Sequence, residues 1–184
     1  MPEPLLVVDV QRRFLNEFTG HIPERVAQLI RRGTYTPVLF TRFINTRNSP
    51  YRRLLDWYGC EREPDTDLTL ELVRYATPER VFLKHSFTGL SARFTTWLEG
   101  QRVERMAVAG LDIDTDMCER KVARDLFQRG IEPLVLVDCC ASTAGAQTHL
   151  AGLTLLSRNS GPHQLWEAGL GDGRLAAPRS EGAD

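Results

Sequence analysis

The sequence predicts an α/β fold, a parallel β-sheet covered by helices on both faces. Three features of the 184-residue chain predict it. Short, continuously apolar runs recur, such as Leu5-Leu-Val-Val and Leu134-Val-Leu-Val, the pattern of strands buried on both faces. Amphipathic segments of helical period separate them. The alternation persists along the chain, and alternating strands and helices close into parallel sheets through right-handed crossovers.

The first strand is residues 5–9, ended by Asp9, and residues 11–14 lead away as a loop. Pro23 opens a helix over residues 24–32, with Val26, Leu29 and Ile30 on one face and Gly33 as its stop. Residues 37–43 form the second strand, and a loop to Pro50 precedes a short helix over 51–57, ended at Gly59. Residues 61–67 are polar, contain Pro64 and read as loop; residues 68–73 suit either helix or strand. The third strand is 80–84, followed by a helix over 91–98 before Gly100. The fourth strand is 105–109. The helix over 118–129 places Val122, Ala123, Leu126 and Phe127 on one face, with Gly130 as its stop. A fifth strand over 134–138, a helix over 148–157 and a last strand at 163–166 complete one domain, residues 1–168. Residues 169–184 are Gly, Ala, Pro, Ser and charge, and are expected to be a flexible tail.

Composition excludes several roles. The formal net charge is −1, so no global field draws the chain to nucleic acid or to an anionic membrane. The arginines are interleaved with acids along helical segments, as on solvated faces. No apolar run reaches the roughly 20 residues of a membrane span. Cys60, Cys118, Cys139 and Cys140 form no C-x-x-C pair, and the adjacent Cys139-Cys140 is a poor disulfide framework. With no leader-like stretch ahead of the first strand, a reduced, cytoplasmic setting is expected.

Parallel α/β sheets bind ligands beyond the carboxyl ends of their strands, at a topological switch point. Asp9, Lys84 and Cys118 fall at or just past the ends of strands one, three and four. Each alone has an ordinary reading, as a cap, a surface charge and a small buried filler. Three reactive residue types on one sheet edge are the signal. Cys118 stands at the mouth of a helix, where unpaired N–H groups and a partial positive charge favour a thiolate and hold a developing oxyanion. Asp9 suits the base that takes the thiol proton, and Lys84 both holds Asp9 ionised and favours thiolate. The N–H groups of Met117 and Cys118 are the candidate oxyanion hole. The set suits attack on an electrophilic carbonyl, with acyl transfer to water.

These residues also carry a resemblance. Leu5-Leu-Val-Val-Asp-Val-Gln-Arg-Arg-Phe14, Phe82-Leu-Lys-His-Ser-Phe87, Asp114-Thr-Asp-Met-Cys118, Lys121-Val-Ala-Arg-Asp-Leu-Phe127 and Val137-Asp-Cys-Cys-Ala-Ser142 resemble the isochorismatase-like cysteine hydrolases, in this order and over roughly residues 5 to 165. That superfamily includes nicotinamidases, N-carbamoylsarcosine amidohydrolases and ureidoacrylate-type hydrolases. The resemblance implies a six-stranded parallel sheet in a Rossmann-like three-layer α/β/α sandwich, assembled as a homo-dimer or homo-tetramer. It implies a triad of Asp9 as base, Lys84 as its partner and Cys118 as nucleophile, with a non-proline cis peptide just ahead of the nucleophile. It also implies that Phe14 walls the pocket.

Two features depart from the family pattern. The usual Gly-x-x-Thr-Asp-x-Cys spacing is stretched by two residues between Gly110 and Thr115, so the turn carrying the oxyanion N–H groups is expected to differ. Glu119 follows the nucleophile where the family commonly has a small or apolar residue, and its charge opposes thiolate formation. Residues 41–50 hold no His in place of the Asp-x-His metal motif of nicotinamidases, and His21, His85, His149 and His163 lack ligand spacing. No metal and no cofactor are expected, and nicotinamide is a poor substrate guess.

Gln11 is expected to hydrogen-bond near Asp9 and, with Asn45, Arg42 and Tyr51, to meet the substrate. His85 is expected to turn away, because neighbours on an extended segment alternate. Trp57 reads as core, and Ser142 as a site cap or a turn former. The leading expectation is a cysteine hydrolase cleaving a C–N bond, amide or ureido, of a small molecule through a thioester on Cys118. The alternative, motivated by the stretched spacing and Glu119, is a non-catalytic relative serving as a small-molecule-binding or assembly module. In isochorismatase-type ether hydrolysis the nucleophilic Cys is dispensable, so Cys118 counts against that third reading.

Overall fold

Leu5, Leu6, Val7 and Val8 are all fully buried, as a continuously apolar strand in the middle of a two-sided sheet must be. The computed structural model describes residues 3–111 and 118–169, the Glu119 side chain excepted. Six strands, β1 (Leu5–Val8), β2 (Val38–Phe43), β3 (Val81–Lys84), β4 (Arg105–Gly110), β5 (Glu132–Cys140) and β6 (Leu165–Trp166), make one sheet. Their order is β3-β2-β1-β4-β5-β6 and every pairing is parallel. The chain winds outward one way from β1 and then, from β4, the other way. The crevice between the carboxyl ends of β1 and β4 is therefore the switch point.

The helices are α1 (Ile22–Arg32), α2 (Pro50–Leu55), α3 (Leu70–Val73), α4 (Ala92–Gln101), α5 (Cys118–Gln128) and α6 (Ala146–Ser160). Successive strand side chains take opposite faces. Leu5, Val7 and Phe40 pack with Ile22, Val26 and Leu29 of α1 and Leu72 of α3. Leu6, Val8 and Met106 pack with Phe94 of α4 and with Val122 and Leu126 of α5. Leu156 of α6 meets Ala123 and Val135 beside them. The result is the expected α/β/α sandwich. Each fully buried Leu or Val contributes about 1.5–3 kcal/mol, which is why the central strand tolerates no polar interruption before Asp9.

Gly110 closes β4 at the switch point. Its φ is +150°, and a Cβ there would lie 2.1 Å from the Val8 carbonyl oxygen. Only glycine lets the end of β4 lie against the end of β1.

Several elements differ from their sequence reading. The helix expected over 51–57 stops at Leu55, because Asp56 takes a left-handed conformation (φ 52°). The ambiguous stretch 68–73 resolves into α3, with Leu68 in an isolated antiparallel bridge to Gln11. Phe127, expected on the apolar face of α5, is 46% exposed at the helix end. The expected tail lies outside the described residues from position 170 on. Among the described residues, no helix is long and apolar enough to cross a membrane.

Candidate active site

Asp9 leaves the end of β1 with a positive φ of 49°, an uncommon conformation for a non-glycine residue. Thr41, on neighbouring β2, holds it there. The Asp9 backbone N–H donates to Thr41 Oγ1 at 3.1 Å, and that hydroxyl donates to Asp9 Oδ1 at 2.6 Å. The other carboxylate oxygen, Oδ2, lies 2.5 Å from Lys84 Nζ at the end of β3. Among the described residues, that charged contact is the partner of Oδ2.

The pair is fully enclosed, Asp9 being 0% and Lys84 2% exposed. Burial alone lowers the Lys84 pKa, but the Asp9 carboxylate and the Cys118 sulfur outweigh it, through charge and hydrogen bonds, and hold Lys84 above the ordinary lysine value. Asp9 and Cys118 thus favour the charged form of Lys84, which lies between them. Its ammonium also donates to the Phe87 carbonyl at 3.4 Å and faces the Phe43 ring from 5.6 Å.

Cys118 is the first residue of α5 and lines a cavity of about 450 Å³. The three residues singled out at the strand ends therefore meet. The cavity above them is aromatic. Phe43 and Tyr51 meet edge to face at 5.2 Å, Tyr51 and Phe87 likewise at 5.0 Å, and Trp57 lies nearly parallel to Phe14 at 6.5 Å. Phe14 and Tyr51 are cavity walls. Trp57, read from sequence as core, is also a wall, because α2 ends before it and frees the indole to turn inward.

Other expected contacts do not reach the cavity. Gln11 donates to the Phe43 and Thr66 carbonyls, each at 3.0 Å, and accepts the Phe43 N–H at 2.7 Å. Asn45 donates to the Trp57 and Gly59 carbonyls at 3.0 and 3.1 Å and accepts from the Ser49 hydroxyl. Both amides bond to the loops behind the wall, and neither is among the described residues that line the cavity. Arg42 is likewise held by Thr66, at 2.7 Å to its carbonyl, and by Asp67. The exposed His85 turns its ring to the Ile44 carbonyl at 2.9 Å, away from Lys84's partners. Ser142 accepts the Ala144 N–H at 3.1 Å, as a turn former. Met117, the peptide ahead of Cys118 and the stretched turn after Leu111 lie outside the described residues. Thr41 escaped the sequence reading because a Thr in an apolar strand reads as a β-branched strand former.

The family model for the isochorismatase domain matches residues 3–166. The chain belongs to the isochorismatase family. The match spans nearly all of the described residues and makes this family member one of the isochorismatase-like hydrolases. No curated protein matches it significantly. Among solved structures, an isochorismatase-like hydrolase from Alkaliphilus metalliredigens is similar at TM-score 0.78 and 16% identity, over 91% of this chain and 96% of that one. N-carbamoylsarcosine amidase from Thermoplasma acidophilum is similar at TM-score 0.68 and 18% identity, over 85% and 94%. The zinc complex of pyrazinamidase from Pyrococcus horikoshii is similar at TM-score 0.72 and 21% identity, over 87% and 97%. At these identities the likeness is one of fold. Among the described residues of this isochorismatase-family chain, no group of three or more His, Cys, Asp or Glu side chains is placed to hold a metal ion.

Proposed function

We propose that the protein is a cysteine amidohydrolase that cleaves a C–N bond, amide or ureido, of a small molecule through a thioester on Cys118. The observation that carries the reading is the position of Lys84, an enclosed ammonium touching both the Asp9 carboxylate and the Cys118 thiol. A buried ion pair costs desolvation that an apolar pair of the same volume does not, so its presence beside the cavity residue Cys118 suits chemistry better than stability.

The steps follow from the groups present. Asp9 takes the thiol proton, and the thiolate, favoured by Lys84 and the start of α5, attacks the carbonyl carbon. The tetrahedral oxyanion is met by backbone N–H groups at the helix start. Asp9 returns its proton to the leaving nitrogen, the C–N bond breaks, and a thioester remains. Asp9 then deprotonates a water that attacks the thioester, and collapse releases the acid and Cys118. Thr41 engages Oδ1 and Lys84 engages Oδ2, so the carboxylate that takes the proton is oriented from both sides. Lys84 stays charged throughout. In this reading the chain works as a dimer or tetramer, which light scattering in solution measures directly.

A screen of small amides, ureido acids and carbamoyl compounds tests the proposal. Turnover should depend on Cys118, and intact-protein mass spectrometry during turnover should show an adduct on that residue. A Cys118→Ala chain with full activity would overturn the nucleophile, and a folded wild-type chain inert across the screen would favour the binding module.

A further inference from the structure

We infer that Arg13 is a carboxylate anchor at the cavity mouth, and that the preferred substrate is a small amide bearing both a flat apolar body and an anionic group. The inference rests on the amidohydrolase reading only for the word substrate; the binding preference stands on the cavity itself. Among the described residues that line the cavity, Arg13 alone is charged. None of the described lining residues is acidic, and the start of α5 at Cys118 adds the partial positive charge of a helix N-terminus. A guanidinium at the mouth favours an anionic group of the ligand over a cationic one.

The guanidinium lies over a glycine. Gly59 is buried, and a Cβ there would stand 2.7 Å from Arg13 Nε and 2.6 Å from Trp57 Cζ2. The missing side chain lets the guanidinium and the indole pack together over the backbone. Nε leans on Asp65 at 3.9 Å, a long contact between half-exposed groups that holds the side chain weakly. The terminal amino groups are the donors left for a ligand, and a guanidinium fork matches a carboxylate in two hydrogen bonds. Asn16, the polar neighbour on the same rim, is otherwise committed. Its amide donates to the Thr143 carbonyl at 2.8 Å and accepts the Phe18 N–H at 2.9 Å.

The shape of the ligand follows from the walls. Phe14 and Trp57 are parallel to within 10°, so a planar group stacked on one ring is aligned with the other. The amide carbonyl then sits at Cys118, the flat body between aromatic walls, and the carboxylate at Arg13.

The test uses 3- and 4-carbamoylbenzoate against the neutral 3- and 4-acetylbenzamides of similar shape. Calorimetry on the Cys118→Ala chain reads binding without turnover. One of the carbamoylbenzoates should bind about tenfold tighter than its neutral counterpart, the size of one charge-assisted hydrogen bond. Arg13→Gln in that background should bring the ratio close to one, and Asp65→Asn, which removes the competing acid, should widen it. Thermal melts establish that each variant is folded. Equal binding of the anionic and neutral amides, binding of neither, or a preference that survives Arg13→Gln would overturn the inference. Turnover by the intact chain reports separately. A chain that binds the anion through Arg13 yet cleaves no amide keeps this inference and loses the hydrolase reading.

Discussion

Thr41 grips Asp9 twice, accepting its backbone N–H at 3.1 Å and donating to its Oδ1 at 2.6 Å. One hydroxyl thereby fixes both the left-handed backbone of Asp9 and the orientation of its carboxylate. Thr41→Val keeps the shape and removes both bonds. It should cost about 1–3 kcal/mol, the penalty for leaving a buried donor unpaired, read by urea denaturation. In the amidohydrolase reading it should also lower kcat about tenfold or more with KM little moved, since a misplaced base slows chemistry without weakening binding. Thr41→Ser should restore both properties.

Removing Lys84 alone strands a buried carboxylate. Lys84→Met should destabilise the fold by about 3–5 kcal/mol, and adding Asp9→Ala to that variant should recover part of the loss. Denaturant midpoints of the two singles and the double measure the coupling. An additive double would show that the pair contributes nothing as a pair.

The same pair gives stability a pH dependence of definite sign. Lys84 is held above the ordinary lysine value of 10.5, by Asp9 and Cys118 against the opposing effect of burial. A raised folded pKa means that the pair's contribution is fully present below that ordinary value and is lost as pH rises above it, toward the folded pKa. Tyr35 and Cys139, each pushed up to about 12 chiefly by burial, add losses of the same sign. The wild type should therefore lose more stability on the alkaline side than Lys84→Met, and the difference between the two melting curves isolates the lysine.

Gly110 and Gly33 both have positive φ, but they should respond differently to alanine. At Gly110 a Cβ would strike the Val8 carbonyl at 2.1 Å, and the strands must part; soluble yield should collapse. At Gly33, φ +68°, nothing lies within 4 Å, and only the backbone conformation is strained, at about 1–2 kcal/mol. Equal tolerance at the two sites would contradict the close approach of β1 and β4.

Iodoacetamide should discriminate among the four cysteines. Cys118 lines a cavity and touches an ammonium, whereas burial and the Asp138 carboxylate push the Cys139 thiol up to about 12. Cys118 should be alkylated first, and Cys60, Cys139 and Cys140 slowly, by peptide mapping of the native protein. Labelling at equal rates would argue against a reactive thiol.

The framework of the site was legible because apolar runs mark strands, and strands that end in Asp, Lys or just before Cys mark one edge of the sheet. What lay behind that edge was not. Gln11 and Asn45 stand beside the site in sequence, but short-range order does not reveal whether an amide faces a ligand or a stray carbonyl. Trp57 became a wall because Asp56, not a glycine, adopted the left-handed turn that ends α2, and nothing in its composition announces that. Arg13 follows the acid of β1 by only four positions, and its significance emerges only once Gly59, far along the chain, is seen to make room for it.

The pairing of Val8 with Gly110 also predicts an order of events in folding. Strands β1, β2 and β3 are contiguous along the chain and can bring Asp9 to Lys84 before β4 takes its place. Cys118 follows β4, so the sulfur arrives last, once the longest of the central closures has been made. Nonlocal parallel pairings of this kind form slowly. The arrival of the thiol beside its ammonium is then a clock for the joining of β4 to β1, and its alkylation during refolding would time that closure.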